Sequence, residues 1–361
     1  MRAAVLETQP GDLVIDEITL TKPEADEVLI QTSACGLCHS DLHMIDGHLP
    51  SPLPAVLGHE AAGIVQAVGD DVTEFQPGDR VVSCLSMFCG NCRECGVGNT
   101  WLCENRSALG KRTDGSSRLW RGDVEVNQMT GLGAFAEEML VHRNAIVQVP
   151  DDLPLEVGAL LGCAVITGVG SVFNGARVKP GSTVAVIGCG GVGLNIVQGA
   201  ALAGAERIIA VDLNAEKLAL AETFGATDVV DGSGTDPVQA VRELTGGGVD
   251  AAFEAIGLPA TAQQAFGMIR PGRTAYLVGL PAIDATIELP GAITLLQGRG
   301  LQGLFMGSNN FKRDIPMLAN LYLQGRLKLD ELVAAKIDLE QVNEGYTAMR
   351  KGTEARSVIV F

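Results

Sequence analysis

The chain has 361 residues, 26 Lys plus Arg against 43 Asp plus Glu, and 47% hydrophobic residues, enough for two domains with cores of their own. A formal charge of −17 argues against sequence-independent nucleic-acid binding, because a phosphate backbone repels such a surface. No 18 uninterrupted apolar residues occur, so no membrane-spanning helix is expected. The opening segment meets Glu7 and Asp12 early and lacks the apolar core of a signal peptide, so a cytoplasmic protein is expected.

The first 160 residues read as strands and loops with little helical period. Val28, Ile30 and Thr32 alternate with differently facing neighbours, 64–68 is a β-rich run, and Pro50, Pro52, Pro54, Gly58, Gly63, Pro77 and Gly78 punctuate the segment, as in an irregular β domain. Within it, Cys89, Cys92, Cys95 and Cys103 follow one another at gaps of 3, 3 and 8. The short gaps let one turn present neighbouring thiolates to a single ion, and the fourth closes a tetrahedron, as a structural zinc requires. A reducing compartment favours metal ligation there over disulfides. An iron–sulfur cluster is the competing occupant, although neither common ferredoxin spacing is matched.

From about residue 183 short apolar strands alternate with helices. Strands are expected at 183–187, 207–211, 227–230, 249–253, 273–278 and 300–304, with helical segments between the first five, a parallel sheet wound on both faces. Helices near 311–324 and 339–349 and a last strand at 357–361 follow. This tail lies beyond the sixth strand and could return to the first domain.

The first of these strands runs into Gly188, Gly190, Gly191, Val192 and Gly193, a Gly-x-Gly-x-x-Gly turn. Gly188 meets its dihedral demand, Gly190 permits close approach to a pyrophosphate, and Gly193 lets the next helix pack on the strand. The helix N-terminus then faces the phosphates with its free N–H groups. The second strand ends at Asp212, 19 residues after Gly193. A carboxylate there accepts hydrogen bonds from the ribose hydroxyls and repels a 2′-phosphate, which predicts NAD over NADP.

A more dispersed constellation comprises Cys38, Ser40, Asp41 and His43, then His59 and Glu60, then Cys163. Two thiolates and one neutral imidazole would leave Zn²⁺ formally neutral with a fourth position for water or substrate. An alcohol bound there loses its proton far more readily than in water. Spacing alone does not reveal this set.

Together with Pro77-Gly78-Asp79-Arg80-Val81, Thr167-Gly168 and Arg356, these motifs resemble the zinc-containing medium-chain alcohol dehydrogenases over essentially the whole chain. The resemblance implies an α/β protein in which a GroES-like β-rich catalytic domain, residues 1–164 and 306–361, surrounds an inserted six-stranded parallel Rossmann domain, 165–305, with a structural zinc lobe at about 86–106. It implies Cys38, His59 and Cys163 as catalytic zinc ligands, Asp41 orienting His59, and Glu60 as a carboxylate able to approach the metal. Ser40 and His43 correspond to a proton relay. Asp212 and Lys217 correspond to ribose contacts, Val192 to the adenosine side of the turn, Thr167 to a nicotinamide neighbour, and His39 and Arg356 to pyrophosphate contacts. With NAD and two Zn²⁺ per chain, hydride would pass to NAD from a zinc-bound alkoxide.

Leu49, Leu85, Ala108, Met129, Thr130, Leu280 and Phe305 align with the family's substrate cleft. An apolar channel with Ser40 beside the metal and Leu85 in place of an aromatic ring favours medium-chain or aromatic primary alcohols. The rival is a thiol-dependent formaldehyde dehydrogenase acting on the hydroxymethyl adduct of glutathione or mycothiol, for which Arg106 lies near the expected basic anchor and Ser107 occupies it by count. A reading from another class is a non-catalytic zinc and NAD-binding redox sensor. The 60 positions from Cys103 to Cys163 resemble the dimeric members, so a homodimer is expected.

Overall fold

The computed structural model describes residues 1–352 and 356–361. The chain forms two compact units, Met1–Ala164 with Asn309–Phe361, and Val165–Ser308.

The first unit is built on two sheets, one of seven and one of six strands. The central strand of the larger is Glu27–Gly36, where buried Val28 and Ile30 alternate with half-buried Leu29 and exposed Gln31, the period-2 pattern of a sheet with one dry face. It pairs antiparallel with Glu60–Val68, from Val28 opposite Val68 to Gly36 opposite Glu60, with two register shifts. The last strand, Ser357–Val360, pairs antiparallel with its far end, setting Val358 opposite Gly36 and Ile359 opposite Cys35. The C-terminal tail thus returns to the first unit and delivers Arg356 beside Leu37 and Cys38. Leu6, Ile30, Leu57, Phe135 and Tyr346 lie in one continuous core.

The second unit has a six-stranded parallel sheet of Thr183–Ile187, Arg207–Asp212, Asp228–Asp231, Val249–Glu254, Ile269–Leu277 and Gly300–Gly303. Counted along the chain, their spatial order is third, second, first, fourth, fifth, sixth. The order reverses beside the first strand, and such a switch point opens a crevice at the strands' carboxyl ends. Ala185, Ile209, Ala252 and Phe253 in the central strands are fully buried. Local chemistry sets the helix ends: Asn214 caps Ala215–Thr223, Asp236 with Pro237 opens Pro237–Thr245, and left-handed Gly246 closes it, as capping and the helix-terminal roles of proline and glycine require.

Two elements depart from the sequence expectation. The fifth strand starts at Ile269 rather than 273: Ile269 pairs with Val249 across a register shift, and Pro271 and Gly272 ride through as an irregularity, where proline and glycine read as a break. A fifth helix, Gly291–Gln297, lies between the fifth and sixth strands. Its Leu295 and Leu296 are 82% and 83% exposed, so it carries no amphipathic period to read. Among the described residues no single helix is long and apolar enough to cross a membrane.

Candidate active site

The sulfur and nitrogen donors of Cys38, His59 and Cys163 all lie within 4.8 Å of one another and all three residues are buried. Cys38 caps the short helix His39–Ile45, which carries Ser40, Asp41 and His43. Cys163 ends the turn Ala159–Gly162. A side chain at Gly162 would place its Cβ 2.3 Å from the Ser83 carbonyl oxygen, so only glycine lets that turn approach so closely. The two sulfurs are 4.0 Å apart.

His59 Nδ1 lies 3.2 Å from Asp41 Oδ1, which also accepts the Gly58 N–H at 2.9 Å. Gly58 needs its positive φ of 89°, and a Cβ there would lie 2.6 Å from Phe135 Cδ1. His59 Nε2 is buried and has no hydrogen-bond partner among the described residues. An unpaired buried ring nitrogen between two thiols calls for an electrophile. Burial pulls the His59 pKa down, but Asp41 and Cys38 outweigh it and hold it well above its ordinary value. The Cys38 thiol is lowered well below its ordinary value by the hydrogen bond with Cys163, against burial and helped by Arg356 and His59. Two thiols and an imidazole nitrogen converging in a buried site are a donor set that fits Zn²⁺.

Behind the three donors, Glu60 Oε1 accepts the Ala164 N–H at 2.8 Å and Oε2 lies 3.7 Å from Arg356 Nε. Burial pushes the Glu60 carboxyl up to about 7 against the pull of Arg356. Arg356 itself is buried, donating to the Leu37 carbonyl at 2.8 Å with its other terminal nitrogen 3.9 Å from Cys38 Sγ. Ser40 Oγ is 3.8 Å from Cys38 Sγ. His43 is half-buried, its ring tilted on His48 at 5.7 Å, and burial with the His48 charge lowers its pKa, which favours the neutral imidazole. His39 is exposed.

The four lobe cysteines also converge within 4.8 Å. Backbone N–H groups already point at the sulfurs, Cys89 N at Cys103 Sγ (3.3 Å) and Cys95 N at Cys92 Sγ (3.5 Å), with the Asn105 side chain on Cys89 Sγ (3.4 Å). Such donors stabilise thiolates, and four of them suit a closed tetrahedral ion. Cys35, Cys84 and Cys189, for which no metal partner is expected, are buried and stand outside both clusters.

In the second unit the glycine turn joins the first strand to helix Gly191–Leu202. Gly188 has φ +94° and Gly193 a notional Cβ 1.7 Å from the Gly188 carbonyl oxygen, whereas a Cβ on Gly190 meets nothing within 4 Å. One glycine therefore serves the dihedral, one the packing, and one leaves open space for a ligand. Asp212 Oδ2 accepts the Cys189 N–H at 2.7 Å, and Oδ1 accepts those of Leu213 (2.8 Å) and Asn214 (3.0 Å). These bonds fix the carboxylate beside the turn and leave one Oδ2 lone pair to spare. Lys217 and Val192 are half-buried. Thr167 is buried, its hydroxyl 3.5 Å from Met306 Sδ, where Met306, Gly307 and Ser308 all have positive φ.

The residues aligned with the substrate cleft are scattered in environment. Met129 is buried in the core, Leu49 and Leu85 are half-buried, and Ala108 and Thr130 are exposed, Thr130 with φ +51°. Leu280 and Phe305 belong to the second unit and are 47% and 43% exposed. Arg106 turns back onto the Trp101 carbonyl and is half-buried. Tyr346, buried on the amphipathic helix Val342–Lys351, carries no functional signal in the sequence, because a tyrosine there reads as core.

Residues 24–151 match the family described as alcohol dehydrogenase GroES-like domain, and residues 191–320 that described as zinc-binding dehydrogenase. An NDMA-dependent alcohol dehydrogenase of Amycolatopsis methanolica is 41% identical over 365 residues, covering 99% of this chain and 98% of that protein. Benzyl alcohol dehydrogenase of Acinetobacter calcoaceticus superposes with a TM-score of 0.95 at 36% identity, covering 100% of this chain and 99% of that one. An alcohol dehydrogenase zinc-binding domain protein of Burkholderia ambifaria gives 0.95 at 38%, covering 100% and 98%. The chain belongs to the zinc-dependent medium-chain dehydrogenase/reductase family. It is accordingly an oxidoreductase.

Proposed function

We propose that the protein oxidises a primary alcohol, medium-chain or aromatic, to the aldehyde, or runs the reverse reaction, with NAD and two Zn²⁺ per chain, one catalytic and one structural. The observation that carries this is the buried, unpaired His59 Nε2 set between the thiols of Cys38 and Cys163. When bound there, zinc acidifies an alcohol hydroxyl and NAD takes up the hydride. Cys38, His59 and Cys163 would hold the metal, and Asp41 fixes the His59 tautomer through Nδ1 so that Nε2 faces it. Ser40 and His43 accept the hydroxyl proton and pass it on, a task for which a neutral imidazole is suited. Glu60 and Arg356 compensate each other's charge behind the ligands. On the nucleotide side, Gly190 leaves room for the pyrophosphate and Asp212 accepts from the ribose hydroxyls, with Lys217, Val192 and Thr167 along the same cofactor and His39 and Arg356 as its cationic contacts.

The name of the 36% identical neighbour, benzyl alcohol dehydrogenase, supports an aromatic substrate. The thiol-dependent reading is weakened by Arg106, which is held to the Trp101 carbonyl rather than projecting as a basic anchor for an anionic thiol cosubstrate. A cytoplasmic homodimer completes the proposal. Steady-state NAD reduction on zinc-counted protein tests it, with benzyl alcohol, hexanol, ethanol, and formaldehyde with and without glutathione or mycothiol. Benzyl alcohol and hexanol should exceed ethanol with no thiol added. Formaldehyde oxidation only with a thiol would replace the substrate, and turnover only when NDMA is added would align the protein with its 41% identical relative.

A further inference from the structure

The helix Val342–Lys351 lays Tyr346 into the core of the first unit, where it is 1% exposed and its ring stands edge-on to Phe135, centroids 6.3 Å apart. Phe135 closes over Gly58, and the Gly58 N–H is one of the two groups that hold Asp41 Oδ1. Tyr346 thus packs on the ring that covers Gly58, the residue whose N–H holds Asp41. Two polar atoms in this region are buried and, among the described residues, without a partner: the Tyr346 hydroxyl and Asp41 Oδ2. Unpaired polar atoms are disfavoured in a core, and a phenylalanine would fill the same volume without one. The hydroxyl remains a donor at working pH, because burial, then Asp41, Cys38 and Cys35, raise its pKa well above the ordinary value.

We propose that Tyr346 is a positioning residue for the metal ligand His59: its O–H reaches Asp41 Oδ2 through one buried water that satisfies both otherwise unpaired atoms. The hydrogen-bond chain then runs from Tyr346 through Asp41 to His59 Nδ1, leaving Nε2 for the ion. With Oδ2 held, the carboxylate cannot rotate away from the imidazole, and the ligand's orientation and basicity are fixed from the third layer outward. This inference rests on the reading of Cys38, His59 and Cys163 as a zinc site.

The test is the rate at which zinc passes from the native protein and from Tyr346→Phe to an excess of chelator, the four-cysteine site serving as internal reference. Removing this one oxygen should release the three-ligand zinc about 10-fold faster, at the low end of what an outer partner of a metal ligand contributes, and leave the four-cysteine zinc unchanged. Added to Asp41→Asn, Tyr346→Phe should change nothing further. In cobalt-substituted protein the visible ligand-field bands of the three-ligand site should shift in Tyr346→Phe. Unchanged release and spectrum would overturn the proposal. So would equal acceleration at both sites, which marks a general loosening, or a full effect persisting on Asp41→Asn, which would place the hydroxyl on another partner. Native protein holding only the four-cysteine zinc would overturn the catalytic-zinc reading itself, a result distinct from two zincs with an indifferent Tyr346.

Discussion

Gly190 and Gly193 stand three positions apart in one turn, yet the same added methyl group has opposite consequences at the two. At Gly193 it would lie 1.7 Å from a backbone oxygen, and at Gly190 it meets open space. Gly193→Ala should therefore destabilise the second unit by about 3 kcal/mol or more, the scale of forced overpacking, and lower Tm. Gly190→Ala should leave Tm in place and weaken NAD binding, read by titration of cofactor fluorescence. Equal Tm losses in both variants would contradict the assignment of Gly190 to the ligand. Legibility at this scale was uneven for physical reasons. The lobe cysteines and the glycine turn announce themselves because their atoms come from adjacent turns of chain. Cys38, His59 and Cys163 meet only after three remote segments fold together, so only family resemblance identifies them. Tyr346 gives no signal at all, since its significance is one oxygen on an otherwise apolar helix face.

Among the elements, the irregular segment 106–118 is pinned by a buried ion cluster. Glu27, at the start of the strand Glu27–Gly36, accepts from Arg118 Nε at 2.6 Å and from Arg112 Nη2 at 2.7 Å, and all three side chains are almost fully buried. Burial acts to raise the Glu27 pKa, but hydrogen bonds from Arg112, the Glu24 N–H and Arg118 outweigh it and hold the carboxyl at about 2. A depressed carboxyl contributes its stability above its ordinary pKa of about 4.5, and that contribution is lost as pH falls toward about 2. Glu27→Gln should lower unfolding free energy at neutral pH by about 3 kcal/mol, as breaking a buried pair does. The gap from native protein should narrow below pH 4.5, where native Glu27 begins to protonate in the unfolded chain. A gap independent of pH in denaturant titrations would sink this account. The strands of the parallel sheet were legible because buried apolar runs between helices have few other readings. The helix Gly291–Gln297 was not, because its apolar residues face solvent and so lack the pattern that burial imposes.

For the molecule as a whole, the two proposed zinc sites should have separable roles. The helical turn Arg93–Gly96 buries no side chain, so the lobe has little apolar core and its fold depends on the ion. Cys95→Ser should thus leave residues 90–99 open to limited proteolysis and lower Tm, while the parallel-sheet unit still binds NAD. A lobe as resistant as the native one would show that packing alone suffices there. The division into two units, with the tail returning to the first, was suggested by the count of six strands before residue 307. The exact change-over falls inside the helix Ala164–Gly170, between Ala164 and Val165, and at the end of the turn Phe305–Ser308, between Ser308 and Asn309, where no linker composition marks it.

The central claim is that Cys38, His59 and Cys163 hold the zinc that activates the alcohol. It is tested most directly by zinc content and benzyl alcohol oxidation in Cys38→Ser beside native protein. The account predicts that two zincs per chain fall to one, that Tm changes little, and that the rate drops on the order of 1,000-fold, the several kcal/mol a Lewis acid supplies. Two zincs retained with the rate intact would contradict it.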